Sequence, residues 1–331
     1  MFSFIIFINF EKFDSDNIIV FCILFKYFPI NISFLIIFFV YLIKSAKMTK
    51  KTSKIIVPNE PKEVTEIRNK ILTEFKDLIF EEGPHKYYLN GVELPSVSHV
   101  THQFSVPFDS DGVAERYAEK NGMTKEYWLD KWRFNNLKAT TTGTLVHEHG
   151  ESLGWLKNGH PEFITESCKV KYVEDKGWLI PTRQKEEAIN KFYDELNENL
   201  HFVLAETKVY TGKNKELTNL KQDYAGTFDL LMYYIDQNNS EKNGLVIMDY
   251  KTNKDLYNDF NRSNGVMMYA PFTDMYSESF GNYTLQLSAY QLPLEDIGLK
   301  VIARRIIWLK DDGTYELIPV KDVTKQLREV L

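Results

Sequence analysis

From residue 204 onward, apolar residues recur with a period of two in three successive runs, LAETKVYT, YAGTFDLLMYYI and GLVIMDYKT, divided by the polar turns GKNKELTNLKQD and DQNNSEKNG. β-Branched and aromatic residues in such an alternation suit half-buried strands, and turns of this length let neighbouring strands pair head to tail. An antiparallel meander is therefore predicted, and it limits the possible folds more than any other stretch. Segments of helical spacing lie on either side. A last helix, YTLQLSAYQLPLEDIG, and a last strand, VIARRIIWL, complete an α/β order: a central mixed β-sheet flanked by helices. No internal repeat interrupts it.

Upstream, residues 48–84 read as a basic arm passing into a helix (EVTEIRNKILTEFKDLIFEE), in which Ile67, Ile71, Phe75, Leu78 and Ile79 recur at helical spacing. Two strand-like pieces follow, HKYYLNG and VELPSVSHV, joined at Asn90-Gly91, a strong hairpin-turn dipeptide. Residues 107–140 read as helical and interleave Arg116, Lys120, Lys125, Lys131, Arg133 and Lys138 with Tyr117, Tyr127, Trp128 and Trp132. Cations that track phosphates beside rings that stack on bases suit a single-stranded nucleic-acid path. An amphipathic surface with its rings turned to the core is the other explanation. A helix after Gly143 (GTLVHEHGESLGWL), a polar loop and a second helix near 183–199 lead into the strands.

With 331 residues, 44% of them apolar, the chain can bury a sizeable core. Its two cysteines, Cys22 and Cys168, lack CxxC or Cys/His spacing. That argues against a disulfide framework, a structural zinc site and an iron–sulfur cluster, and fits a reducing, intracellular setting. The net charge of −6 means that contact with nucleic acid would have to come from a local basic groove. Residues 1–47 stand apart. The run Ile30 to Ile43 is apolar but short for a bilayer, whereas Ile18 to Ile43 would suffice if Lys26 and Pro29 were tolerated. Three explanations are open: translated upstream sequence with the native start at Met48, a membrane anchor, or a buried helical arm. The first, which is preferred, places the protein in the cytoplasm, the host's if the source is viral, without a membrane.

Asp249-Tyr250-Lys251 ends an apolar strand, so Asp249 and Lys251 project to one side and Tyr250 to the other. One member of such a pair can hold a metal and the other a water or phosphate. The acid-x-Lys pattern alone says little, because it also occurs at Glu60/Lys62, Glu74/Lys76, Glu174/Lys176 and Glu206/Lys208. A second acid, Asp229, sits one strand earlier among Phe228, Leu230 and Leu231, where a solvated turn is unfavourable. Two carboxylates brought together there repel unless a cation or a proton intervenes. Gly226 leaves room for substrate beside Asp229, or else marks a bulge. On the preceding helix His147 and Glu151 share a face at i, i+4, while Glu148 and His149 lie on others. Gln286 and Tyr290 share a face of the last helix in the same way.

The order of these pieces is more specific than any one of them. A helical His147, Glu206 on a strand, Gly226-x-x-Asp229, Asp249-x-Lys251 and a helical Gln286-x-x-x-Tyr290 together resemble the RecB-like branch of the PD-(D/E)XK nucleases. The pattern is also similar to the mitochondrial genome maintenance exonuclease and to exonucleases of tailed phages, from about His85 to Leu309. The resemblance implies a restriction-endonuclease-like core in a nuclease domain of residues 85–331. It implies Mg²⁺ or Mn²⁺ bound by His147, Asp229, Asp249 and the Tyr250 carbonyl, with no iron–sulfur cluster. Lys251 would position or activate water and stabilise charge on the phosphate. Glu206 would be the acid of the preceding strand, and Gln286 and Tyr290 would orient Lys251 or the substrate backbone. The activity implied is exonucleolytic hydrolysis of DNA, single strands favoured, in replication, recombination or repair, beside phage or host proteins of those processes. A structure-specific endonuclease and a catalytically silent DNA-binding accessory protein are the alternatives.

Overall fold

The computed structural model describes residues 60–160, 182–213 and 220–331. The leader of residues 1–47, the Met48 start, the polar loop before residue 182 and the Glu174/Lys176 pair lie outside the described residues. Residues Val57–Leu331 form one unit. Among the described residues no helix is long and apolar enough to cross a membrane.

Helix α1 (Lys62–Glu74) buries Val64, Arg68 and Ile71. Arg68 fastens it to the main sheet, its Nε donating to the Val203 carbonyl at 2.7 Å. Helical spacing predicts that the helix runs on through Leu78 and Ile79. Instead it stops at Phe75, and β1 (Leu78–Glu81) pairs antiparallel with β2 (Lys86–Leu89), Ile79 opposite Tyr88 and Phe80 opposite Tyr87. Cross-strand packing there, with the Phe80 and Tyr87 ring centroids 4.7 Å apart, outweighs a helical pattern already near its end. The hairpin at Asn90-Gly91 forms as expected: φ is 52° and 80°, the left-handed pair that a two-residue turn demands, and β3 (Val92–Leu94) returns along β2. The rest of VELPSVSHV is no strand. Ser96 accepts from the His99 amide and caps α2 (Val97–His102).

The stretch read as helical over 107–140 divides at Gly122, whose φ of 65° ends α3 (Ser110–Asn121). The second helix, α4 (Lys125–Lys157), does not stop before Gly143 but runs unbroken into GTLVHEHGESLGWL. Thr140, Thr141, Thr142 and Thr144 all donate their hydroxyls to carbonyls one turn back within this continuous helix. Helix α5 (Arg183–Asp194) ends earlier than expected, because residues from Leu200 belong to β4 (Leu200–Tyr210).

The main sheet has the order β4-β5-β6-β7-β8, with β5 (Ala225–Tyr234), β6 (Gly244–Lys251), β7 (Val301–Leu309) and β8 (Tyr315–Pro319). The predicted meander is present: β4 pairs antiparallel with β5, and β5 with β6. Strand β7 then lies parallel to β6, and β8, not anticipated, lies antiparallel to β7. Between β6 and β7 come the short α6 (Asp259–Ser263) and the long α7 (Ser279–Asp296); α8 (Thr324–Val330) closes the chain. Tyr250 meets α4 and α5 whereas its neighbour Lys251 meets α7, so these helices cover opposite faces of a mixed sheet.

Candidate functional site

The site forms where the sheet divides. The β5–β6 ladder ends at Leu230 opposite Met248, yet β5 stays with β4 as far as Ala225 and β6 stays with β7 as far as Lys251. Asp229 and Asp249 are the next residues on the two parting strands. With no strand opposite, the Tyr250 amide donates instead to Asp229 Oδ2 at 2.8 Å. A backbone donor that the ladder no longer satisfies thus fixes the first carboxylate.

Helix α4 brings His147 over this notch because it can lie unusually close to the sheet. A Cβ at Gly150 would stand 2.8 Å from Tyr250 Cε2, and one at Gly154 would stand 2.5 Å from the Tyr193 hydroxyl. The two rings occupy the space that larger residues would fill, and Tyr250 and Tyr193 share a 3.0 Å hydroxyl contact. One turn before Gly150, His147 Nδ1 lies 3.3 Å from Asp229 Oδ2 and 3.7 Å from Glu206 Oε1, while Nε2 lies 3.0 Å from the Tyr250 carbonyl. Glu206 reaches this group from β4 through a left-handed backbone, φ 44°, which costs a non-glycine residue about 1–2 kcal/mol.

Electrostatics tie these residues together. Burial works against charge on His147, but Asp229 and then Glu206 outweigh it and hold the imidazole well above its ordinary range. Burial would raise Asp229, yet His147 and Lys251 keep it below the usual carboxylate range. Asp249 goes the other way: burial, reinforced by the negative charge of Asp229, pushes it up to about 7 despite the adjacent Lys251. Lys251 forms an ion pair with Asp249, and the two carboxylates raise its ammonium above the ordinary lysine value in spite of burial. Glu206 is raised, chiefly by burial.

Ligand atoms of His147, Glu206 and Asp229 all lie within 4.8 Å of one another, so this group can hold a metal ion. Neither buried oxygen of Asp249 accepts a well-formed hydrogen bond among the described residues. Mixed imidazole and carboxylate donors, with the buried Asp249 carboxylate beside them, fit a divalent cation. The compact group includes Glu206, whereas Asp249 stands one carboxylate further on, next to Lys251. The Tyr250 carbonyl is at the site, against His147.

Other expected residues fall elsewhere. Glu151 is outside the compact donor group and lines, with Glu206, a cleft between α1, α4 and β4. Glu148, set on another face by helical spacing, has its carboxyl raised by burial and then by the charge of Glu206. His149 bridges to Asn190 Oδ1 at 3.1 Å, a contact between α4 and α5. Gly226 leaves no room for substrate, because a Cβ there would stand 2.7 Å from both Tyr290 Cε1 and Val97 Cγ2. Gln286 Nε2 donates to the Tyr290 hydroxyl at 3.1 Å, and Tyr290 is buried within reach of the charge on Asp249. The aromatic neighbour of Lys251 is one that the sequence reading missed: its Nζ lies 4.3 Å from the ring centroid of Tyr283. Tyr283 precedes Gln286 by three residues and Tyr290 by seven, so helical spacing alone places it on their face.

In the α3–α4 pair, Tyr117, Trp128 and Trp132 cluster with centroids 5.1–6.4 Å apart, the two tryptophans half-buried and Tyr117 exposed. Lys125 is held by Asp111 and Glu115, and Arg133 by Asp130. Phe108, Tyr127 and Phe134 are exposed as well, with Lys131 4.8 Å from the Trp128 centroid. No protein-family model matches the chain, and no curated protein matches it.

Proposed function

We propose that this chain is a metal-dependent deoxyribonuclease with a restriction-endonuclease-like core, of the RecB-like branch of the PD-(D/E)XK superfamily. It acts as an exonuclease on single-stranded DNA or DNA ends, in replication, recombination or repair. The observation that carries the proposal is the parting of β5 from β6 at Asp229 and Asp249, with Lys251 on one side and His147 on the other. That places acids, imidazole and ammonium around a single notch.

His147, Asp229 and Glu206 would hold the cation, with Asp249 and the Tyr250 carbonyl beside them. When bound, a divalent ion supplies Lewis-acid polarisation of a phosphoryl oxygen and lowers the pKa of water. Lys251, kept protonated by its two carboxylates, serves as a cation and a donor rather than a base: it orients the attacking water and offsets charge building on the phosphate. The closed approach of α4, held by Gly150 and Gly154, fixes the height of His147 above the strands. Tyr127, Phe134, Lys131 and Lys138 lie on the helix that carries His147, and suit a single strand led toward the notch.

The test is digestion of end-labelled single- and double-stranded DNA and of a closed single-stranded circle by the 331-residue chain, with Mg²⁺ and with EDTA, beside Asp229→Asn. Mg²⁺-dependent loss of label from linear strands, abolished in Asp229→Asn and absent on the circle, is expected. Cleavage of the circle at an equal rate would indicate an endonuclease instead. Binding without cleavage would indicate an accessory protein.

A further inference from the structure

Among the described residues Lys251 is the cation of the notch on the α7 side, and its surroundings are only partly explained by Asp249. Its side chain is 12% exposed, so water solvates little of the ammonium. Among the described residues Gln286 and Tyr290 hydrogen-bond to each other, and the ring that faces the ammonium is that of Tyr283, 4.3 Å from Nζ. Tyr283 is itself held: its hydroxyl donates to Asn253 Oδ1 at 2.8 Å. The Asn253 carbonyl in turn accepts from Trp308 Nε1 at 2.8 Å, and Trp308 lies opposite Lys251 in the β6–β7 ladder. The end of β6 is therefore bracketed from both sides two residues beyond Lys251.

We propose that Tyr283 is a positioning residue for Lys251, its ring holding the ammonium toward the notch while leaving the charge intact. The proposal rests on the nuclease reading for its kinetic consequence, but not for the contact itself. A carboxylate partner neutralises an ammonium and competes with a phosphate for it. The face of an aromatic ring attracts the same cation through its quadrupole and forms no directed hydrogen bond to it, so the N–H groups turned from the ring stay available to an anion. Asp249 alone is a poor anchor, since any cation in the notch draws on the same carboxylate. The ring is unaffected by that competition.

Two measurements on the full chain test this. The first is the rate of reductive methylation of Lys251 in the absence of added metal, read by mass spectrometry, for wild type, Tyr283→Phe and Tyr283→Leu. The second is kcat and KM on a labelled single strand with Mg²⁺. Tyr283→Phe keeps the ring and is expected within about threefold of wild type in both. Tyr283→Leu is expected to raise labelling about tenfold and lower kcat about tenfold, with KM little changed, the size of effect that a partly desolvated cation–ring contact supports. If Tyr283→Leu does not fold, Tyr283→Met is measured in its place. Equal labelling in wild type and the ringless variant, or a Tyr283→Phe as impaired as Tyr283→Leu, overturns the proposal. A wild type that cleaves no nucleic acid overturns the nuclease reading instead, and the labelling rates then decide the role of the ring.

Discussion

Strands β4 and β6 carry the same three-residue pattern, an acid, an intervening residue and a lysine, and make opposite use of it. On β6 the backbone is regular, so Asp249 and Lys251 lie on one side and form an ion pair with side chains 2% and 12% exposed. On β4 the left-handed backbone at Glu206 breaks the alternation: the carboxylate turns to His147, and Lys208 is left on the exposed surface. Spacing describes chemistry only while the backbone keeps its period. In the remaining described decoys acid and lysine also part company: Glu60 pairs with the buried Arg68 while Lys62 meets Glu66, and Glu74 meets Lys213.

The sharpest way to break this comparison is to remove each lysine in turn. Lys251→Ala is expected to lower kcat on single-stranded DNA by about 10²–10³-fold, the range for losing one preorganised transition-state partner. Lys208→Ala is expected to stay within about twofold of wild type. Comparable losses in the two would put Lys208 into the site and remove the distinction.

Glu206 tests the backbone side of the same contrast. Glu206→Gln should reduce cleavage about 10–100-fold and weaken Mn²⁺ binding measured by calorimetry, because the donor group loses a charge. Glu206→Gly should lose activity as severely yet raise the unfolding temperature, since glycine adopts φ 44° without the cost of about 1–2 kcal/mol. A Glu206→Gly protein that melts lower than Glu206→Gln would show that the left-handed turn is not strained.

Gly150→Ala addresses the face opposite Lys251. The added Cβ would press on the buried Tyr250 ring at 2.8 Å, and a loss of about 1–3 kcal/mol in urea unfolding is expected, with reduced cleavage as His147 lifts from the notch. Unchanged stability would mean that α4 can move away at no cost.

Asp296, at the far end of α7, measures what a buried carboxylate costs away from the notch. It is 4% exposed, and the Gly212 backbone and the charge of Arg328 compensate its burial only in part. Burial raises it to about 6, above the ordinary 3.8, although Arg328 opposes the shift. Between those values the folded protein binds more protons than the unfolded chain, so stability falls as pH rises from 3.8 through 6. The penalty is complete above about 6 and absent below about 3.8. Asp296→Asn should therefore raise the unfolding free energy at pH 7–8, by on the order of 1–2 kcal/mol in urea unfolding, and leave it unchanged near pH 3.5. A gain that does not depend on pH would assign the effect to packing.

Much of the architecture was legible. The two-residue period of residues 204–251 determined the meander, Asn90-Gly91 determined the hairpin, and the apolar setting of Asp229 and Asp249 singled these acids out from solvated ones. These are local properties: each follows from which side of a strand or turn a residue occupies. The helix break after Glu74 and the strand β8 were not legible, because each depends on pairing with another strand that periodicity ignores; nor was the continuity of α4 through Gly143. The same holds within the site. Sequence placed His147, Asp229, Asp249 and Lys251 as candidates, but whether Glu206 or Glu151 joins His147 was decided by one left-handed residue on β4. Whether Lys251 meets Tyr283 or Tyr290 was decided by how α7 lies across the parted strands. Spacing sets the direction of a side chain from its own backbone; distance between side chains on separate elements is set only when the core brings those elements together.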